Sequence, residues 1–185
     1  EKLKHAKEVE RMKQKYQPKI HPLLYQQVPV KVFNEQDRYA VGHLQTDFVE
    51  HCGQSAAGEF INTCSNTDIN FGWWEGQAAI GKSQGATNAA LDTALARFPF
   101  PIAADHVDNG SEVLNQLMFR YCRERCIEFS RSRPYKKNDN CLVEQKNRTH
   151  VKRFVGYLRY DTAGELKILN DLYAKILSNF LSLIF

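Results

Sequence analysis

From residue 41 onward the hydrophobic period of the chain switches in a set order, and that order admits few architectures. Three stretches of strand character, over 44–49, 57–70 and 72–80, precede any helix. Asn70 and Gly72 provide the turn between the second and third. A helix over 82–97 follows, with Ala86, Ala89, Ala90, Ala94 and Leu95 on its apolar side, and Pro99 and Pro101 end it. Then come a strand over 101–107, a helix over 111–125, a strand over 127–130, a polar loop over 131–141 and a helix over 142–155. The 111–125 helix is expected to start from Ser111 as N-cap and to turn Val113, Leu114, Leu117, Met118, Tyr121 and Cys122 inward. Three consecutive strands imply an antiparallel meander, and the alternating remainder adds parallel strands to the same sheet. The expectation is an α/β protein: a mixed five-stranded sheet flanked by helices, with helical extensions at both ends.

The extensions are read from pattern and charge. Residues 2–16 repeat Leu3, Ala6, Val9, Met12 and Tyr16 at helical spacing, and Pro18 and Pro22 end the pattern. Residues 22–40 read as a polar connector with one apolar stretch over 28–32. Residues 163–184 read as an amphipathic helix on Leu166, Leu169, Leu172, Tyr173, Ile176, Leu177, Phe180, Leu181 and Ile184. The domain reading is therefore a basic helix and linker over 1–38, a core over 39–160 and a C-terminal helix over 161–185. With 185 residues, 43% of them hydrophobic, the chain can bury one real core and not two.

The net charge of +4 is uninformative as an average. Its distribution is not: residues 1–20 carry a net +4 and residues 131–153 a net +6, so the remainder is acidic. Basic blocks on an acidic body suit a polyanion such as nucleic acid, while two solvated faces are the plain alternative. The five cysteines have no disulfide framework and no CxxC, and Cys122 and Cys126 are expected as buried thiols. His51, Cys52 and Cys64 fit no zinc spacing. No apolar run reaches about 18 residues, so no membrane span is expected. With no signal-peptide pattern, a cytoplasmic protein is expected. The start at Glu1 reads as a fragment or processed product.

Three acidic residues stand where chemistry explains them well. Asp47 interrupts the apolar strand LQTDFVE, where strand interiors disfavour aspartate; a surface position at a sheet edge is the alternative. Asp108 follows the fourth strand in DNGSE, at a strand end where ligands bind in open α/β sheets; Asp-Asn-Gly is also ordinary turn chemistry. Glu144 opens the helix LVEQKNRTHVKR, where it could simply favour the helix dipole. Arg148 and Lys152, four and eight residues on, fall near its face of a regular helix, and Val143, Val151 and Val155 form a separate stripe toward the sheet. Asp105, Asp68 and Asp139 compete, with Asp105 the strongest rival. His106 reads as a packed histidine before a metal or proton-transfer residue.

Thirty-five residues separate Asp108 from Glu144. With TDFVEHCG, TDINFGWWE, DHVDNGSEVLN and SRPYKKNDNCLVEQKNRTHVKRFVGYLRYD in that order, the chain resembles the integrase-core (Asp-Asp-Glu) transposases of bacterial insertion elements, which are related to retroviral integrases. The resemblance covers roughly 28–180. It implies a ribonuclease H-like fold and Asp47, Asp108 and Glu144 as catalytic ligands of two Mg²⁺ or Mn²⁺ ions. It further implies phosphodiester transesterification that cuts and joins DNA, with self-association. Lys136, Lys146, Arg148 and Lys152 are the expected phosphate contacts. Val113 stands where the family commonly has an aromatic, and the chain stops at SNFLSLIF. The alternative expectation is therefore a truncated, inactive remnant that binds DNA or oligomerises.

Overall fold

The computed structural model describes residues 22–177. The helix expected over 2–16, and Phe180, Leu181 and Ile184 at the other end, lie outside them. The centre is one five-stranded sheet of β1 (His43–Glu50), β2 (Ile61–Asp68), β3 (Trp74–Ile80), β4 (Ala104–Val107) and β5 (Glu128–Arg131), in the order β3-β2-β1-β4-β5. β1 to β3 are antiparallel, and β4 and β5 join parallel, which is the mixed sheet the element order implies. Beyond β5, the segment around Val30 adds a short parallel bridge to Arg131.

Strand alternation splits this sheet into two faces. Leu44, Cys64 and Val107 face one layer, covered by α2 (Gln84–Leu95) and α3 (Gln116–Glu124), where Leu91, Leu114 and Met118 close the core. Val49, Ile61, Trp74 and Ala78 face the other, covered by α4 and α5. α4 runs from Cys141–Lys146 through a π-helical stretch, Asn147–Lys152, into Arg153–Val155. α5 is Ala163–Leu172, continued by Tyr173–Leu177. As the valine stripe implies, Val143, Val151 and Val155 are buried. Each fully buried large apolar side chain contributes roughly 1.5–3 kcal/mol, so both layers are needed to hold the sheet.

The flanks belong to these layers. Helix α1 (Pro22–Gln27) begins at a proline, whose missing N–H is an orphan at a first helical position anyway. It sends Leu24, with Val28 beyond it, into the α2–α3 core, so 22–40 is not simply a polar connector. At the other end Leu169, Tyr173 and Leu177 fill the second core, while Ile176 is exposed. Asn170 replaces a missing strand on the edge of β3: its side chain accepts from Ala78 N at 2.7 Å and donates to Ala78 O at 3.2 Å.

Three local expectations differ from the structure. α3 starts at Gln116, with Asn115 as N-cap accepting from Met118 N, because the chain from Asp108 to Leu114 is tied up in a turn; Ser111 is not the cap. Leu117 points outward on the shorter helix. Cys126 is exposed, at the left-handed turn between α3 and β5, whereas Cys122 is buried.

Candidate active site

β1 and β4 run parallel, and their last paired positions are Thr46 and Val107. The next residue on each is Asp47 and Asp108, so register alone sets the two carboxylates side by side at one end of the sheet, on the α4 face. Glu144 projects from the exposed side of the first turns of α4. The three are in electrostatic reach of one another. Burial, then Asp108, Glu112 and Glu144, raise the Asp47 carboxyl from 3.8 to about 7, against a bond from its neighbour Phe48 N. Asp108 is also raised, first by burial and then by Glu144, with Gly110 N pulling the other way.

The local chain explains these positions. Asp108 Oδ1 accepts from Gly110 N at 2.7 Å, a tight turn that doubles the carboxylate back over its own loop. A Cβ at Gly110 would sit 2.8 Å from Glu112 Oε1 and 2.9 Å from Asp108 Oδ1, so a side chain there would push on both carboxylates. Asn109 locks the loop to β5 by donating to Ser132 O and accepting from Arg131.

α4 is stapled to β1 on either side of Glu144. Gln45 Oε1 accepts from Leu142 N at 3.0 Å and from Val143 N at 3.1 Å, filling orphan donors at the helix start. Its amide nitrogen donates to Gln36 Oε1 and Asp139 O. Asn147 Nδ2 donates to Asp47 Oδ2 at 2.7 Å, a bond that favours the ionised carboxylate. The Asn147 staple opens the π-helical stretch, a distortion frequent at functional sites, whereas the Gln45 staple holds the regular turn before it.

Residues missed in the sequence are Gln45, Asn147 and Glu112. Glu112 is raised by burial, and by Asp108 and Glu50 against Lys82, so it belongs to the same acidic field. Its signal was present in DNGSE, four residues past Asp108. Gln45 and Asn147 had no such signal, because their partners lie about 100 residues away.

The rival acids separate cleanly. Asp105 is paired with Leu44 and so faces the α2–α3 core, on the opposite side from Asp108. Neither of its oxygens has a hydrogen-bond partner, and burial raises its carboxyl to about 7, with a lesser opposing pull from the Thr46 hydroxyl. Asp68 caps the β2–β3 turn, accepting from Gly42, Asn70 and Phe71 N–H groups. Asp139 accepts from the Arg133 side chain and backbone, which lowers its carboxyl. Both nitrogens of His106 are engaged, by Ser130 and Ser132, and burial lowers it to about 4.

The expected phosphate contacts do not share one place. Arg148 and Lys136 are exposed. Lys152 stands 5.8 Å over the Tyr157 ring, further along the helix, and adds to the burial that lowers His51. Lys146 turns to the other side of α4, toward Gly72 and His150. Two cations of the basic block are structural. Arg131 stacks on Tyr25 and bonds Val28 O and Tyr25 O, and Arg133 pairs with Asp139.

An all-carboxylate donor set in which burial and neighbouring acids raise Asp47 and Asp108 suits a hard divalent cation, whose charge would relieve the repulsion. The side chains are not drawn into a finished cage: among the described residues no three His, Cys, Asp or Glu groups are arranged to hold a metal ion. Also among the described residues, no helix is long and apolar enough to cross a membrane.

No family model matches the sequence. The uncharacterized protein y4rM of Sinorhizobium fredii is 40% identical over 146 residues, which are 79% of this chain and 42% of that protein. The chain thus spans less than half the length of this relative. Two solved structures resemble it at 15% identity. One is the simian T-cell lymphotropic virus intasome in complex with PP2A regulatory subunit B56 gamma, with a TM-score of 0.55 over 86% of this chain and 53% of that one. The other is the catalytic core domain of BIV integrase, with a TM-score of 0.53 over 78% of this chain and 95% of that one. The sheet and its flanking helices are those of the integrase catalytic core, the ribonuclease H-like fold.

Proposed function

We propose that this chain is the catalytic core of a DNA transposase of the Asp-Asp-Glu type, a polynucleotidyl transferase of a bacterial insertion element. One observation carries the reading. Parallel register brings Asp47 and Asp108 together on the face where α4 supplies Glu144; burial raises both aspartates, and Asp108 and Glu144 add to the rise of Asp47, Glu144 to that of Asp108. The integrase-core fold supports it.

Asp47, Asp108 and Glu144 are the residues that would hold Mg²⁺ or Mn²⁺. Two such ions, when bound, would activate an attacking water or DNA 3′-hydroxyl and stabilise the leaving oxygen. The rest falls to the chain itself. Asn147 orients Asp47 and favours its ionised form, so the carboxylate is ready for a cation. Gln45 holds the start of α4 against β1, which sets where Glu144 stands. Arg148 and Lys136 are exposed to meet phosphates, which position DNA without reading its sequence. Element ends and target DNA are the proposed substrates, self-association the proposed assembly and the bacterial cytoplasm the proposed location.

The test is cleavage and strand joining of element-end DNA in Mg²⁺ or Mn²⁺. Asp47→Asn, Asp108→Asn and Glu144→Gln should each abolish both reactions; wild-type rates in these variants would remove the assignment. The second reading is a non-catalytic DNA-binding or oligomerising remnant. It wins if the intact chain binds DNA but cuts with neither metal.

A further inference from the structure

A cleft of about 520 Å³ lies behind the acid cluster, between α4 and the β2–β3 turn, and runs along the helix from Leu142 to Phe154. We infer that it holds one nucleotide of a single DNA strand, with the base against aromatic walls and the phosphate on Lys146 and Arg153. The inference rests on the proposed function for its DNA substrate.

Four observations converge. The volume is within the roughly 300–1,000 Å³ of small-ligand sites. Its walls include Phe71 from the turn and Phe154 from the helix, 58% and 51% exposed, and stacking on exposed aromatics is how bases of single strands are held without regard to sequence. Its charge is cationic: Lys146 and Arg153 line it, while the one lining carboxylate, Asp68, is buried and committed to three backbone N–H groups of the turn region. Finally, the Thr67 hydroxyl at the lining is buried with no hydrogen-bond partner, an orphan that a ligand's polar edge would satisfy. A stacked duplex does not offer a base to such a cleft, whereas a frayed end does. Asn147 meets Asp47 on one side of α4 and Lys146 lines the cleft on the other, so a strand leaving the acids has only the helix to pass.

The test is fluorescence anisotropy with a labelled oligothymidylate of about 15 nucleotides and a blunt duplex, both in EDTA so that no metal chemistry enters. Lys146→Ala/Arg153→Ala should weaken single-strand binding about tenfold or more. It should also make the slope of log affinity against log salt shallower by about 0.7, the value for one phosphate of a single strand. Phe71→Ala/Phe154→Ala should weaken it about tenfold with the slope unchanged. Lys146→Gln/Arg153→Gln, which keeps polar surface, should repeat the cationic result. Circular dichroism checks that each variant is folded. The inference is overturned if oligothymidylate affinity stays within twofold in these variants. It is equally overturned if duplex binding falls in parallel, if the wild-type chain does not bind the single strand, or if light scattering shows that the variants instead break a dimer. Asp47→Asn separates the two readings. Normal cleavage by it sinks the enzyme assignment and leaves the cleft standing on its binding data, whereas unchanged binding in the cleft variants sinks the cleft alone.

Discussion

The two faces of the sheet treat aspartate in opposite ways. Asp105 and Asp108 are three residues apart, yet one is sealed among apolar side chains behind α2 and α3, and the other joins an acidic field beneath α4. Asp105 has no partner and is held by burial near a neutral carboxyl. Asp47, on the Asp108 face, is raised to a similar value by burial and also by three other acids, and has two hydrogen-bond donors waiting on it. Burial leads in both cases, and only Asp47 adds the repulsion of other acids. The α4 face has a reason to hold charge, which a cation would complete. The α2–α3 face has no such set of acids, and burial alone pushes its acid toward the neutral form.

The largest expected difference is in rate. Asp108→Asn should lower Mg²⁺-dependent DNA cleavage about a thousandfold or more, equivalent to roughly 4 kcal/mol of lost metal-derived stabilisation. Asp105→Asn should stay within about threefold. Equal losses from both substitutions would erase the distinction between the faces.

Stability against pH probes the same contrast without activity. Both acids have folded values of about 7 against an ordinary 3.8, so the folded chain keeps protons that the unfolded chain gives up. Their contribution is complete below about pH 4 and is lost as the pH rises toward and through 7. In EDTA the melting temperature should fall between pH 5 and pH 8, reflecting a stability loss on the order of 5 kcal/mol for the two acids together. Asp47→Asn and Asp105→Asn should each remove part of the fall. Added Mg²⁺ should restore the Asp47 part only; restoration in Asp47→Asn would place the metal elsewhere.

Smaller effects come from the staples. Gln45→Leu strands two N–H groups of α4 and should cost about 1–3 kcal/mol in urea unfolding, with cleavage falling alongside. No change in hydrogen exchange at Leu142 and Val143 would show that Gln45 does not hold the helix. Asn147→Ala should be smallest, about 1 kcal/mol, and visible at pH 8 rather than pH 5 because the bond serves the ionised Asp47. An equal loss at both pH values would mean that Asn147 is only packing.

Much of the fold was legible in the sequence. The strands around Leu44, Ile61 and Trp74 and the helix bearing Glu144 were apparent from period alone, because alternation and helical spacing are local signals. What failed was non-local. Ser111 has the composition of a cap, but the turn around Gly110 delays the helix to Asn115. Arg131 reads as part of a DNA-facing block, yet it lies over Tyr25 and braces α1, a partner 106 residues away. Lys146 and Lys152 were both expected to meet phosphates, but six residues set them about 120° apart around a helix, and they end beside different neighbours.

The sequence by itself determined the order of elements, the mixed sheet and the three acids with their 35-residue gap, since each depends on residue type and short-range period. Only the tertiary structure decided which acids share a place. A strand's alternation says that Asp105 and Asp108 face oppositely, but not which face is closed. That is settled by where α2, α3 and α4 pack, through contacts spanning much of the chain. The same long-range packing turns Gln45 and Asn147, ordinary amides in a row of letters, into the three bonds that hold α4, and with it Glu144, against β1.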